Sequence, residues 1–312
     1  LLTTKPDFAR FGGVVNPPFI FSSRTGAADV SQLIMTIQCV DRAGLVAAVT
    51  GRLAESGCFI EELAQFGDRD TGLFFMRIQM AASDEQGAFE RIQANFAPVA
   101  ERFEMTWDLY RADERPRVLL MVSKFDHCLR DLIYRRETGT LKADFTAIVS
   151  NHEKLRPIAE RAGVPFHYVP VTSETKPEAE ARLEAIIAET GSELVVLARY
   201  MQVLSGSMCA RHPGRVINIH HSFLPSFKGA KPYHRAYDRG VKLIGATAHY
   251  VTDDLDEGPI IEQGIERVDH SRSAEDLVAI GRDIEAMTLA RAVRMHVERR
   301  VFINGHRTVV FP

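Results

Sequence analysis

The chain has 312 residues, 46% of them hydrophobic and 25% charged, with a formal net charge of −3. These figures supply core for two domains or one large α/β domain, and they leave no basic surface for nucleic acid. No apolar run reaches the ~18 residues of a membrane span, no secretory leader is visible, and the scattered Cys39, Cys58, Cys128 and Cys209 form no C-x-x-C pair, so a reducing cytoplasm is expected, without disulfide framework or zinc ribbon.

Residues 1–30 carry Gly12-Gly13 and Pro17-Pro18 without any period, and an extended or poorly ordered arm is expected there. Over 31–110 the patterning is regular. A strand over 33–40 meets the turn Asp41-Arg42-Ala43-Gly44-Leu45, which opens a helix over 45–56 that Gly57 stops. Strands over 59–66 and 73–80 flank a hairpin turn. A helix over 84–97 and a strand over 103–109 complete βαββαβ, the ferredoxin-like order. The charged segment 111–117, with Pro116, reads as a linker.

From 118 to 312 strands alternate with helices. Strands are expected over 118–122, 145–149, 166–169 and 194–198, with helices over 128–137, 153–162 and 176–190. The repetition predicts a Rossmann-like, doubly wound and mostly parallel sheet. A strand over 216–219, a helix over 234–239 and a strand over 243–251 follow. A long helix over 274–300 leads to a hairpin, 301–303 and 308–311, turned at Asn304-Gly305.

Val216 to Gln263 holds the densest chemistry. Side chains alternate along a strand, so Asn218 and His220 share one face while Ile217 and Ile219 take the other. They stand at the carboxyl end of the strand, where open α/β sheets bind ligands. His249 lies on the next strand, and a loop crowded with carboxylates, Asp253 to Gly258, comes after it. An amide and an imidazolium can hold a developing oxyanion, and a carboxylate favours the charged imidazole and can take a proton, which suits attack on a carbonyl carbon. By spacing alone, Asn218 and His220 could also be buried polar groups bonded to nearby loops, and Asp256 a turn residue. No H-E-x-x-H is present, and Asp254-x-Asp256-x-Gly258 lacks the glutamate of a calcium loop, so no metal is expected.

The order Asn218-x-His220, Phe223-Leu224-Pro225, a glycine-containing loop over 228–232, and Thr252-Asp253-x-Leu255-Asp256-x-Gly258-Pro259-Ile260 resembles the folate-dependent formyltransferase family. The resemblance implies Asn218, His220 and Asp256 as catalytic residues and His249 as their support. It implies a pterin pocket lined by Tyr200, Met201, Val203 and Leu204, with Val251 and Asp253. For Met201 and Val203 the plain alternative is the start of an apolar helix packed on the sheet. His221 is read as a solvated or supporting residue. The strand and turn at Asp41, Gly44 and Leu45 resemble the ACT regulatory domain, which implies either a small amino-acid effector at those residues or a module that only packs and dimerises.

The acceptor is the remaining question. In the purine-pathway members of that family the turn after the first strand is glycine-rich and cradles a phosphate. Here it reads Ser123-Lys124-Phe125-Asp126-His127-Cys128, without glycine and with a repelling carboxylate. Lys124 or His127 would make an unusual cradle, and an RNA acceptor would need a basic surface. The combination with an ACT domain implies that water is the acceptor. The expected reaction is hydrolysis of 10-formyltetrahydrofolate to formate and tetrahydrofolate, serving one-carbon and purine metabolism, with folate as substrate and no prosthetic group. Transfer to an amine and a non-catalytic folate or amino-acid sensor are the alternatives. A homodimer or homotetramer is expected, with no membrane or nucleic-acid partner.

Overall fold

The structure is a computed structural model that describes residues 31–82, 87–222, 224 and 232–312. The arm over 1–30, the expected helix start at 84–86, Phe223, Pro225 and the glycine-containing loop up to Lys231 lie outside the described residues.

The first unit runs β1 (Ser31–Val40), α1 (Leu45–Glu55), β2 (Cys58–Asp68), β3 (Leu73–Ala82), α2 (Ala88–Phe103) and β4 (Thr106–Arg111). Its strands pair antiparallel in the order β2-β3-β1-β4. Alternation sends Leu33, Met35 and Ile37 of β1, and Met76 and Ile78 of β3, into one core with Leu45, Val49 and Leu53 of α1 and Ile92 and Phe96 of α2. Helix α2 runs on to Phe103, where a strand was expected to begin. Its buried positions Ile92, Phe96, Val99, Ala100 and Phe103 keep a helical spacing. Glu104 then turns left-handed (φ 53°), and Met105 N–H bonds to the Ala100 carbonyl, which ends the helix.

The second unit follows after a five-residue connection. It runs β5 (Arg117–Val122), α3 (His127–Glu137), β6 (Asp144–Ser150), a 3-10 turn, α4 (Arg156–Arg161), β7 (Phe166–Tyr168), α5 (Lys176–Thr190) and β8 (Leu194–Leu197). Then come α6 (Gly206–Arg211), β9 (Val216–His220), α7 (Pro232–Asp238), β10 (Leu243–Tyr250), β11 (Ile260–Arg267), α8 (Ala274–Val297), β12 (Val301–Asn304) and β13 (Arg307–Val310). The seven-stranded sheet has the order β11-β10-β9-β8-β5-β6-β7. Strands β5 to β9 are parallel, and β10 and β11 are antiparallel additions at one edge.

Strand β5 is apolar on both faces because both are covered. Val118, Leu120 and Val122 face the core of α3 and α8, while Leu119 and Met121 face that of α5 and α6. The sheet grows from β5 outward to β7, then restarts on the other side of β5 with β8. The strand order therefore reverses between β5 and β8. Helix α8 opens on a capping box, Ser273 with Asp276.

After α8 the chain returns to the first unit. Arg77 of β3, 1% exposed, donates to the Glu298 carbonyl (3.1 Å) and pairs with Glu62 (3.3 Å). Phe302 and Phe311 pack on Phe75, and Asn304 donates to Asp68 (2.6 Å). Among the described residues no helix is long and apolar enough to cross a membrane.

One pair joining β10 to α8 makes stability depend on pH. Tyr250 O–H meets Nδ1 of His296 at 2.7 Å, and burial, with the Arg299 charge adding to it, pushes the imidazole pKa down to about 3. The unfolded chain takes up this proton near the ordinary histidine value, ~6.5, and the folded chain does not. Acidification from about pH 6.5 toward 3 should therefore erode stability. Urea unfolding midpoints at pH 7 and pH 5 check this, and His296→Gln, which keeps an acceptor for Tyr250, should shrink the difference.

Candidate active site

Antiparallel pairing of β9 with β10 sets Asn218 directly opposite His249. The Asn218 amide lies 3.2 Å from His249 Nε2. His249 Nδ1 lies 2.9 Å from the Tyr250 carbonyl, an acceptor only, so Nδ1 carries a hydrogen. Nε2 of His249 faces both partners: without a proton it accepts from the Asn218 amide and steers that group, and with one it faces the Asp256 carboxylate. His220 closes β9, and its Nδ1 stands 3.1 Å from Asp256 Oδ2, while Asp256 Oδ1 is 3.7 Å from His249 Nε2. His220 Nε2 is buried and has no hydrogen-bond partner among the described residues.

Burial works to raise the Asp256 carboxyl pKa, but the hydrogen bonds and charges of His220 and His249 outweigh it and hold the group well below the usual carboxylate range. The loop achieves this position through its backbone. Asp256 is left-handed (φ 59°), a conformation aspartate tolerates better than most residues. Two residues on, Gly258 passes so near the Tyr250 carbonyl that a Cβ there would collide with it and stand 3.4 Å from His249 Nδ1. Gly258→Ala must therefore move the loop off β10 and Asp256 away from His220. Hydrolytic turnover should drop by at least about tenfold with the far-ultraviolet circular dichroism spectrum unchanged; unaltered turnover would show that the loop position is not needed.

A cleft of about 360 Å³ opens over these groups. Tyr200, Met201, Val203 and Leu204 line one side, Val251 and Asp253 the other, with Asn218, His220, His249 and Asp256 among the lining. Residues 199–204 are irregular rather than the start of a helix, and α6 begins only at Gly206. Met201 (52%) and Val203 (55%) are exposed, which an apolar helix start packed on the sheet would not leave. Leu204 is buried in the core beneath. Burial pushes the Tyr200 phenol up to about 12, so it stays neutral.

Three residues beside the cleft carried no expected catalytic role. His221 stacks edge-on to His220 with ring centroids 5.1 Å apart, and burial, with the charges of Arg199 and His220, pushes its pKa down to about 4. Arg199 borders the cleft with a left-handed backbone (φ 66°). Glu285, 1% exposed on α8, accepts from His127 Nε2 and from the Tyr233 hydroxyl. The sequence signal for Glu285 was a carboxylate among the inward positions Ile284, Thr288 and Leu289 of a long helix.

The turn after β5 holds no glycine; Asp126 pairs with Arg130 at 2.6 Å, and Lys124 is exposed. His127, Cys128 and Glu285 bring ligand-type atoms within 4.8 Å of one another. Burial pushes the Cys128 thiol well up, so it is no thiolate, and Arg199 and Tyr233 engage the same carboxylate. An ion-paired cluster describes this group better than a cation site. In the first unit a groove of about 450 Å³ runs beside Asp41, Gly44 (φ 90°) and Phe66. The Leu45 side chain itself points into the core.

Residues 116–293 match the Formyl transferase family and residues 31–110 the ACT domain family. The formyltetrahydrofolate deformylase of Corynebacterium sp. (strain P-1) is 50% identical over 277 residues, 89% of this chain and 97% of that protein. That of Bacillus subtilis (strain 168) is 48% identical over 289 residues, 92% of this chain and 96% of that protein. A solved formyltetrahydrofolate deformylase from Burkholderia mallei superposes with a TM-score of 0.86 at 54% identity, covering 90% of this chain and all of the other. A glycinamide ribonucleotide transformylase from Symbiobacterium toebii covers 66% of this chain, with a TM-score of 0.60 at 30% identity. An ACT domain followed by a formyl transferase domain, with the similarity to these deformylases running over about nine-tenths of its length, places the chain in the formyltetrahydrofolate deformylase family.

Proposed function

We propose that the chain hydrolyses 10-formyltetrahydrofolate to formate and tetrahydrofolate, with 118–312 as the catalytic domain and 31–110 as the regulatory one. The reading is carried by one observation: Asn218, His220 and Asp256 converge at a cleft, with His220 Nε2 left without a hydrogen-bond partner among the described residues. The pterin lies between Tyr200, Met201, Val203 and Leu204 and the Val251–Asp253 wall, apolar surfaces suited to a flat ring. The formyl oxygen takes hydrogen bonds from the Asn218 amide and from Nε2–H of protonated His220. Water attacks the formyl carbon, and negative charge collects on that oxygen, where these donors already stand. Asp256 stabilises the imidazolium and helps to carry off the water's proton. The C–N10 bond then breaks, N10 takes a proton, and the water's oxygen leaves in formate. No prosthetic group takes part; folate is the substrate.

The groove at Asp41, Gly44 and Leu45 receives a small amino acid that regulates the reaction. The chain works in the cytoplasm as a homodimer or homotetramer, since β2 leaves a sheet edge open to pairing. The decisive assay is incubation with 10-formyltetrahydrofolate alone. One formate per tetrahydrofolate is expected; a sensor would release neither product, and a transferase would form tetrahydrofolate only with an amine present, together with the formylated amine and no formate.

A further inference from the structure

The crevice where strand order reverses, between β5 and β8, is where an open α/β sheet takes its ligands. In this chain that crevice is filled from within. The Glu285 carboxylate takes hydrogen bonds from His127 Nε2 (2.7 Å) and the Tyr233 hydroxyl (2.8 Å), and Arg199 Nε stands 3.2 Å away. These partners come from the start of α3, from α7 and from the end of β8. Beside them the Phe125 ring is flanked by the guanidinium groups of Arg199 (5.3 Å) and Arg282 (5.8 Å). On the β8 side, Ser123 Oγ accepts from Met201 N–H (3.0 Å) and closes the turn of β5 against the loop after β8.

A carboxylate this deeply buried is costly unless its partners compensate it. Packing of α8 does not require it, since Ile284 and Leu289 already bury the helix. Arg199 holds a left-handed backbone conformation that is strained for an arginine and lines the reaction cleft as well. Crevice and cleft therefore share a wall. An anionic group entering the crevice would find His127, Tyr233 and Arg199 already engaged and a fixed negative charge among them.

We propose that Glu285 is a specificity-determining residue: its carboxylate fills, as a built-in counter-ion, the place an anion-bearing second substrate would occupy, and so leaves water as the only nucleophile. The proposal rests on the hydrolytic reading above. Without the carboxylate, a primary amine carrying an anion can dock on the freed donors. Its nitrogen attacks the formyl carbon, the C–N10 bond breaks, and N10 keeps the electron pair and takes a proton from the amine. The products are tetrahydrofolate and the formylated amine.

The test compares wild type with Glu285→Ala in the full chain, supplied with 10-formyltetrahydrofolate and phosphoethanolamine as the probe amine. The alanine variant should show a melting temperature that rises with probe concentration and formate per tetrahydrofolate falling below one, while wild type stays at one. If the alanine variant does not fold, Glu285→Ser, which keeps a hydrogen-bonding group for Tyr233, takes its place. A folded variant that neither binds the probe nor diverts formyl groups overturns the proposal, and so does one that binds it and still yields one formate per tetrahydrofolate. Diversion by wild type would instead overturn the hydrolytic reading, so the two failures are distinct.

Discussion

Asp256→Asn should lower kcat by about 10³- to 10⁴-fold, the range seen when the carboxylate behind a catalytic imidazole is neutralised. Asparagine has nearly the same size and accepts the left-handed conformation of residue 256 as readily as aspartate does. The change therefore removes charge with little disturbance of the loop. What is lost is the partner of His220 Nδ1 at 3.1 Å, and with it the stabilisation of a protonated imidazole while charge builds on the formyl oxygen. The pterin contacts lie elsewhere in the cleft, so KM should move much less than kcat. A second readout follows from the depressed carboxyl pKa. A group ionised more readily in the folded chain adds stability above its unfolded value, ~3.9, and that contribution is lost as pH falls through the lower folded value. The variant should lack this contribution, so the stability gap to wild type should narrow below about pH 4. Steady-state kinetics near neutral pH and acid unfolding curves test both halves. Near-normal turnover by a folded Asp256→Asn protein would remove Asp256 from the mechanism.

Asn218→Ala should cost about 100- to 1000-fold in kcat, the usual effect of deleting one oxyanion donor. The residue sits mid-sheet, and its amide is held by His249, so its hydrogen is aimed before substrate arrives. Such a donor gains most when the carbonyl oxygen becomes charged, which places the loss in kcat rather than in KM. His249→Ala, which leaves the amide in place but unsteered, should lose less than Asn218→Ala. An Asn218→Ala protein with unchanged kcat and raised KM would make the amide a binding group only.

Much of the fold was legible because local patterns and tertiary demands agree. Alternation along β1 and β3 marked one buried face, the all-apolar β5 and β8 marked a sheet covered on both sides, and Asn304-Gly305 marked the last hairpin. Other elements gave weak signals. Edge strand β11 reads as mixed polarity because most of it faces solvent, and α6 is only six residues long. The end of α2 was hidden because Phe103 suits a strand as well as a helix, and the left-handed turn at Glu104 has no glycine to announce it. At the site, the motif order named Asn218, His220 and Asp256; the β9–β10 register sets Asn218 against His249, and the loop after β10 brings Asp256 to His220. Glu285 escaped notice because its importance lies in what α3, α7 and β8 bring to it from far along the chain.

The late hairpin also bears on how the protein is made. Phe75 and Arg77 belong to the unit that is made before the formyl transferase unit, yet the groups that shield them, Phe302, Phe311 and the Glu298 carbonyl, are translated more than two hundred residues later. Synthesis at about 5–20 residues per second leaves that sheet face wet for roughly ten seconds or more. During this interval the Phe75 ring, and an Arg77 guanidinium paired only with Glu62, are open to chaperones or to other nascent chains. Maturation of the ACT unit thus waits on residues 298–311, and truncation after α8 should harm the ACT unit first.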